Sequence, residues 1–220
     1  MEDSEYIRIV EETKQMVMQY AQEDWPLLKQ SNGVEVTSTQ SPGSPVRIYK
    51  AVGELNASPP VVFDYAAPPG FGTIREKWDK TVKRWEVLKT VTENVKVLRS
   101  ESFSALMGLI SPRDFVDVVM AERSDDISFT CGRGVDYPHP EDPAYVRGMN
   151  YPSAMLCFAA KGKPATTRMV LMVQTDPRGS IPHKLIETAV PSVQLQFFTQ
   201  LRKALKDGEA HRERGSRTHS

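Results

Sequence analysis

Leu185-Ile186-Glu187-Thr188-Ala189-Val190-Pro191-Ser192-Val193-Gln194-Leu195-Gln196-Phe197-Phe198-Thr199-Gln200-Leu201-Arg202-Lys203-Ala204-Leu205 decides the fold. Leu185, Ala189, Val193, Phe197, Leu201 and Leu205 follow one another four residues apart, with Ile186, Val190 and Phe198 beside them. That is the period of a helix with one apolar stripe. Counted from Ile181, such a helix has about 27 residues and runs roughly 40 Å, enough to cross a whole sheet. The stripe needs a cover of that length, so the spacing predicts a long helix lying on a sheet face. Pro191 removes an amide donor inside it and predicts a kink or break near 187–190. Beyond Asp207 the period is lost, and His211-Arg212-Glu213-Arg214-Gly215-Ser216-Arg217 is polar and basic. Residues 209–220 are expected to form a disordered tail behind a single domain over 1–208.

The sheet is written upstream. Val34/Val36 and Val46/Ile48 alternate around a Pro/Gly/Ser turn at 42–45, the period of two strands. β-Branched and aromatic residues mark further strands at 82–90, 94–104, 114–122, 127–135, 144–149, 153–160 and 167–176. Most links between them are too short for a crossover helix, so neighbours should be antiparallel, in one long meander of nine strands. At 115–120 and 169–173 both faces read as apolar, as expected where a strand is covered on one side by helix and faces something nonpolar on the other. Two helices accompany the strands. Tyr6, Ile9, Val10, Met16, Val17 and Tyr20 predict an amphipathic helix over 4–22. Ser58-Pro59 opens a short one through Ala66, which Pro68-Pro69-Gly70 ends. The expected fold is therefore α+β: a curved nine-stranded antiparallel sheet gripped by a long C-terminal helix.

Composition narrows the function. Across 220 residues, 28 Lys and Arg balance 28 Asp and Glu, so no basic excess argues for nucleic acid. The longest apolar runs fall far short of the roughly 20 residues that span a bilayer. The acidic start, Met1-Glu2-Asp3-Ser4-Glu5, is unlike a secretory signal, and a cytoplasmic location is expected. In such a compartment Cys131 and Cys157 should be buried thiols rather than a disulfide.

The chemistry of enzymes is missing from the motifs. His139, His183, His211 and His219 stand in no zinc-site spacing. Gly132-Arg133-Gly134 lacks the third glycine and the helix of a dinucleotide site, and no serine sits in a nucleophile elbow. No catalytic residue, metal or cofactor is expected.

At Ser111-Pro112-Arg113-Asp114-Phe115-Val116-Asp117 the sequence resembles the StAR-related lipid-transfer (START) domain. Lys77-Trp78-Asp79, Val146-Arg147-Gly148 with Pro152, Gln174-Thr175-Asp176 with Gly179 and Pro182, and Leu201-Arg202-Lys203-Ala204-Leu205 follow in family order from about residue 20 to 207. The spacing looks closest to the small cytosolic sterol carriers. The resemblance implies a noncatalytic, monomeric intracellular carrier. It would hold one sterol or related steroid, such as cholesterol, an oxysterol or a bile acid, in an internal cavity and pass it between membranes touched transiently. Two other readings stand beside it: an enzyme acting on a hydrophobic ligand in a helix-grip cavity, and an interaction module whose cavity is filled by side chains. There are departures as well. The steroidogenic member has a buried acidic and basic pair in its tunnel where this chain has Ser100 and Val119, and Asn150-Tyr151-Pro152 replaces the usual Asn-His-Pro.

Candidate ligand contacts are Arg75, as a cation for a hydroxyl or carboxylate or else a solvated surface residue, with Ser100, Val118, Met120, Met172 and Gln174 on central strands. Which strand residues face the cavity depends on register, and one step inverts the set. Val193, Phe197 and Leu201 are expected to form its lid. Trp78 reads as core, and Arg113 with Asp114 as structural, positioning the preceding loop. Leu106, Met107, Leu109 and Ile110 make an apolar connection where loops are normally polar. The matching segment of START relatives lies at the cavity mouth and is implicated in lipid entry and membrane contact. The other reading is a loop packed on the closing helix.

Overall fold

A computed structural model describes residues 1–41, 44–72, 74–104 and 110–217. Helix α1 (Asp3–Tyr20) leads into strands β1 (Leu27–Ser31), β2 (Val34–Gln40) and β3 (Arg47–Leu55). Helices α2 (Pro59–Ala66) and α3 (Arg75–Trp78) follow, then β4 (Val82–Thr90), β5 (Val95–Ser102), β6 (Arg113–Glu122) and β7 (Ile127–Gly134). The two-residue strands β8 (Val146–Arg147) and β9 (Met149–Asn150) precede β10 (Ser153–Ala160), β11 (Lys163–Val173) and β12 (Thr175–Asp176), and α4 (His183–Arg217) closes the chain.

Nine strands form one antiparallel sheet in the order β1-β2-β3-β11-β10-β7-β6-β5-β4. Two expectations need correction. The stretch 144–149 is not one antiparallel strand of the meander, because it breaks into β8, which pairs in parallel with β6 off the main path, and β9, which pairs with β12. The ninth strand is instead β1, an edge strand exposed along its length, whose Leu27-Leu28-Lys29-Gln30-Ser31 does not alternate. Nor is the sheet a single meander. Strand β3 pairs with β11, and the chain then passes through α2 and α3 to reach β4 at the far edge. Two meanders are thus joined side by side.

The two faces carry different covers. Helix α1 buries Tyr6, Val10, Thr13 and Val17 against β5, β6, β7 and β10. Around them lies a core of Val97, Val116, Val118, Phe129, Leu156, Val170 and Met172. On the opposite face α4 crosses β1, β2 and β3 and touches α2 and α3. Its Phe197, Phe198, Leu201 and Leu205 pack with Val36, Ala51, Phe63, Met155 and Met169. Gly53 permits this approach, since a Cβ there would meet the Phe198 ring at 3.0 Å. Cys131 belongs to the first core and Cys157 to the second, both free and buried. Burial pushes the Cys131 thiol up to about 12 and that of Cys157 further up.

Helix α4 differs from its sequence reading in three ways. It runs unbroken through Pro191, which is buried, while the Thr188 and Ser192 hydroxyls donate to the Lys184 and Thr188 carbonyls in the flanking turns at 2.9 and 3.0 Å. Its backbone remains helical to Arg217, past the end of the apolar period and through the expected tail, because residues such as Glu209 and Ala210 favour helix without an apolar stripe. Val193 is 47% exposed, and the buried row runs instead through Pro191, Gln194, Phe197, Phe198 and Leu201.

Candidate functional site

The α4 face does not close completely. Register places Asp117 and Val119 of β6, Thr130 and Gly132 of β7, Ser153 and Met155 of β10, and Leu171 and Val173 of β11 on this face. Together with Pro68, Arg75, Trp85 and Asn150 they wall a hollow of about 190 Å³. Part of its cause is local: β7 presents a glycine at 132, where a Cβ would meet the Val118 carbonyl oxygen at 2.5 Å, so no side chain fills this point. The hollow shows in the alternation of β6. Val116, Val118 and Met120 are buried beneath α1, whereas Phe115, Asp117 and Val119 on the other face are only partly buried.

The wall is mostly apolar, with a few polar groups. Asp117 Oδ2 accepts a hydrogen bond from Asn150 Nδ2 at 2.8 Å. Its Oδ1 is enclosed without a hydrogen-bond partner among the described residues. Burial pushes the Asp117 carboxyl up to about 6, and the Asn150 hydrogen bond opposes that rise in part. Ser153 Oγ donates to the Tyr151 carbonyl at 3.0 Å and accepts from the Gln174 amide at 3.1 Å.

Arg75 is not a solvated surface arginine. Its Nε donates to Asp79 Oδ2 at 2.8 Å and its Nη1 to the Ala66 carbonyl at 3.2 Å. Its guanidinium lies 5.3 Å from the Trp85 ring centre and 5.1 Å from that of Phe197. Burial opposes ionisation of Asp79, but Arg75 and the Thr81 hydrogen bonds outweigh it and hold this carboxyl below its usual range. Trp78 is packing, as its residue type suggests: it meets Phe197 edge-on at 5.3 Å while its Nε1 donates to the Tyr65 carbonyl at 2.8 Å.

The other sequence-based candidates divide. Phe197 and Leu201 belong to the α4-face core. Ser100 shares that face on β5, opposite Trp85 and Phe115, without bordering the hollow. Val118 and Met120 point to the α1 face, where a shift of one register step puts them. Met172 packs there too, although its position on β11 borders the hollow. Gln174 is fully buried and donates to the Val46 carbonyl at 2.9 Å, a tie between β11 and the start of β3. Leu106, Met107 and Leu109 lie outside the described residues, and Ile110 is half-buried.

The Ser111–Asp117 stretch is structural at its start. Arg113 donates to the carbonyls of Ser111, Pro177 and Arg178, tying the strand entrance to the loop before α4. Asp114 pairs with Arg99 and Arg147, each at 2.9 Å. Burial opposes its ionisation, yet the hydrogen bonds from Arg147 and Arg99 prevail and lower its pKa. Asp117 is the residue that the sequence reading passes over. Its signal was available: an acid in the middle of an otherwise apolar strand has to be satisfied by something.

Among the described residues no group of three His, Cys, Asp or Glu is arranged to hold a metal, and no helix is long and apolar enough to cross a membrane. A family model described as the START domain matches residues 8–211. The chain is 33% identical over 203 residues to StAR-related lipid transfer protein 5 of Bos taurus, covering 90% of this chain and 95% of that protein. It is 30% identical over 195 residues to StAR-related lipid transfer protein 4 of Homo sapiens, covering 87% and 93%. The solved structure of human StAR-related lipid transfer protein 5 matches with a TM-score of 0.87 and 30% identity, covering 94% of this chain and 100% of that one.

Proposed function

This chain belongs to the START-domain family, and from that premise we propose that it is a noncatalytic carrier of one lipid, a sterol or related steroid, which it moves between membranes. The observation that carries the proposal is the hollow on the α4 face, walled by Val119, Met155, Leu171 and Val173 with the polar Arg75, Asp117, Asn150 and Ser153 among them. A steroid is mostly hydrocarbon, and burying it gains about 25 cal/mol per Å² of apolar surface, while its few polar atoms need partners. A mostly apolar wall with isolated polar groups meets both needs.

The volume adds a mechanical requirement. About 190 Å³ is less than the roughly 300 Å³ at which pockets for molecules of this size begin. Entry therefore widens the hollow, and Phe197, whose ring lies 5.1 Å from the Arg75 guanidinium of the wall, moves outward with Leu201 of α4 to act as its lid. The apolar segment that carries Leu106, Met107, Leu109 and Ile110 serves lipid entry and meets the headgroup boundary when a membrane is touched. Residues 1–208 act as one binding domain, monomeric and cytoplasmic, with Arg75 as a ligand contact.

Titration with a fluorescent sterol tests this reading. Saturable 1:1 binding, competed by unlabelled steroid, is expected; a broad lipid panel without saturable binding would overturn it. Transfer between liposomes tests the mouth. Met107→Asp is expected to slow transfer while equilibrium affinity and Tm stay nearly unchanged, and unchanged transfer would remove this segment from the mechanism.

A further inference from the structure

Asp117 sits in the middle of β6 on the hollow's wall, the one carboxyl among the wall residues. One oxygen is held by Asn150, and the other is enclosed with no donor among the described residues. No described Lys or Arg forms an ion pair with it: Arg75, the other charged group of the wall, commits Nε to Asp79 and Nη1 to the Ala66 carbonyl. A buried acceptor without a donor is unfavourable, and so is a hydroxyl buried without an acceptor.

We infer that Asp117, oriented by Asn150, is the acceptor for a hydroxyl group of the steroid-like ligand and is the residue that makes the site prefer hydroxylated over wholly apolar steroids. The inference rests on the carrier reading above and names the polar contact of that same site. A hydroxyl that enters the hollow gives up its water partners and Asp117 Oδ1 has no donor there among the described residues, so one contact satisfies both groups. Oδ1 is enclosed on a residue that lines the hollow, and rotation about χ2, which is soft for an aspartate, presents it. Asn150 limits that rotation by holding Oδ2, which is why it is a positioning residue. Val119, Met155 and Leu171 offer no acceptor side chain, and of the polar wall groups Ser153 Oγ already donates to the Tyr151 carbonyl and accepts from the Gln174 amide, whereas Asp117 Oδ1 has no donor among the described residues.

The test uses the full chain and two steroid probes, a 3β-hydroxysteroid and its 3-deoxy counterpart. Wild-type protein should bind the hydroxylated probe at least about 10-fold more tightly, the size of a hydrogen bond to a charged or polarised partner. Asp117→Leu should weaken the hydroxylated probe by about that factor and leave the deoxy probe within about 2-fold, which a merely structural role would not do. Asp117→Asn keeps an acceptor and should retain part of the preference. Equal losses for both probes in Asp117→Leu would overturn the inference, as would a wild-type preference below about 3-fold, a result that needs no variant to fold. Wild-type protein that binds both probes equally removes this contact and leaves the carrier reading standing. Wild-type protein that binds neither removes both.

Discussion

The two faces of the same strands do different work. On β6, β7, β10 and β11 the residues turned toward α1 are Val118, Cys131, Leu156 and Val170, all buried and mutually packed. Their immediate neighbours in sequence, turned toward α4, include Asp117, Gly132, Met155 and Leu171, which border the hollow. Period-two alternation thus separates a face that holds the fold from a face that can be opened, within strands whose sequence looks apolar throughout. The two acids of β6 differ in the same way: Asp114, on the α1 side, is paired with Arg99 and Arg147, whereas Asp117 has one oxygen without a partner among the described residues.

The largest effect should come from the packed face. Leu156→Ala removes a fully buried side chain and should cost about 2–5 kcal/mol in thermal or urea unfolding, with ligand affinity of the folded protein unchanged. Leu171→Ala, on the same sheet but only partly buried beside the hollow, should cost less than about 1.5 kcal/mol and lower sterol affinity instead. If both variants lost stability and affinity in the same proportion, the division between the faces would not hold.

Much of this architecture was legible beforehand, for reasons that can be named. The stripe from Phe197 to Leu205 shows that a long helix must cover a sheet, and Ser58-Pro59 marks the start of α2 to the residue. Alternation could not supply the phase of β6. With apolar residues on both faces, Val118 and Val119 are interchangeable by pattern, and only pairing with Arg133 and Gly132 separates them. Strand β1 is invisible for a related reason: an exposed edge strand has no apolar face to impose a period. Val193 shows the limit of the helical stripe, because a four-residue step drifts around a 3.6-residue helix and carries one end of the row out to water. Arg75 is singled out by its place before Trp78, but its partners Asp79, Trp85 and Phe197 come together only in the fold.

Two smaller effects separate the faces further. The folded Asp117 carboxyl titrates near 6, above its ordinary 3.8, so the native state retains its proton longer than the unfolded chain does. This group therefore subtracts stability as pH rises from about 4 to about 6, and the loss is constant above that. Asp79 and Asp114, lowered in the fold, act in the opposite sense: their contribution is present above their ordinary pKa and disappears as pH falls through the folded value. Asp117→Asn should flatten the pH 4–6 segment of the stability curve and exceed wild type at pH 7.5 by on the order of 1–2 kcal/mol. An unchanged curve would place the carboxyl in water. Smallest of all, Val193→Asp should change unfolding free energy by no more than about 0.5 kcal/mol, since its side chain is already exposed.

The central claim is that the ligand occupies the α4 face of the sheet, and a photoactivatable sterol tests it most directly. After irradiation of the full chain and peptide mapping, labels should fall on β6, β10, β11 and α4 at residues such as Val119, Met155, Leu171 and Phe197, and excess unlabelled sterol should remove them. Labels confined to α1-face residues such as Val118 and Leu156, or spread over the surface and insensitive to competitor, would contradict the account.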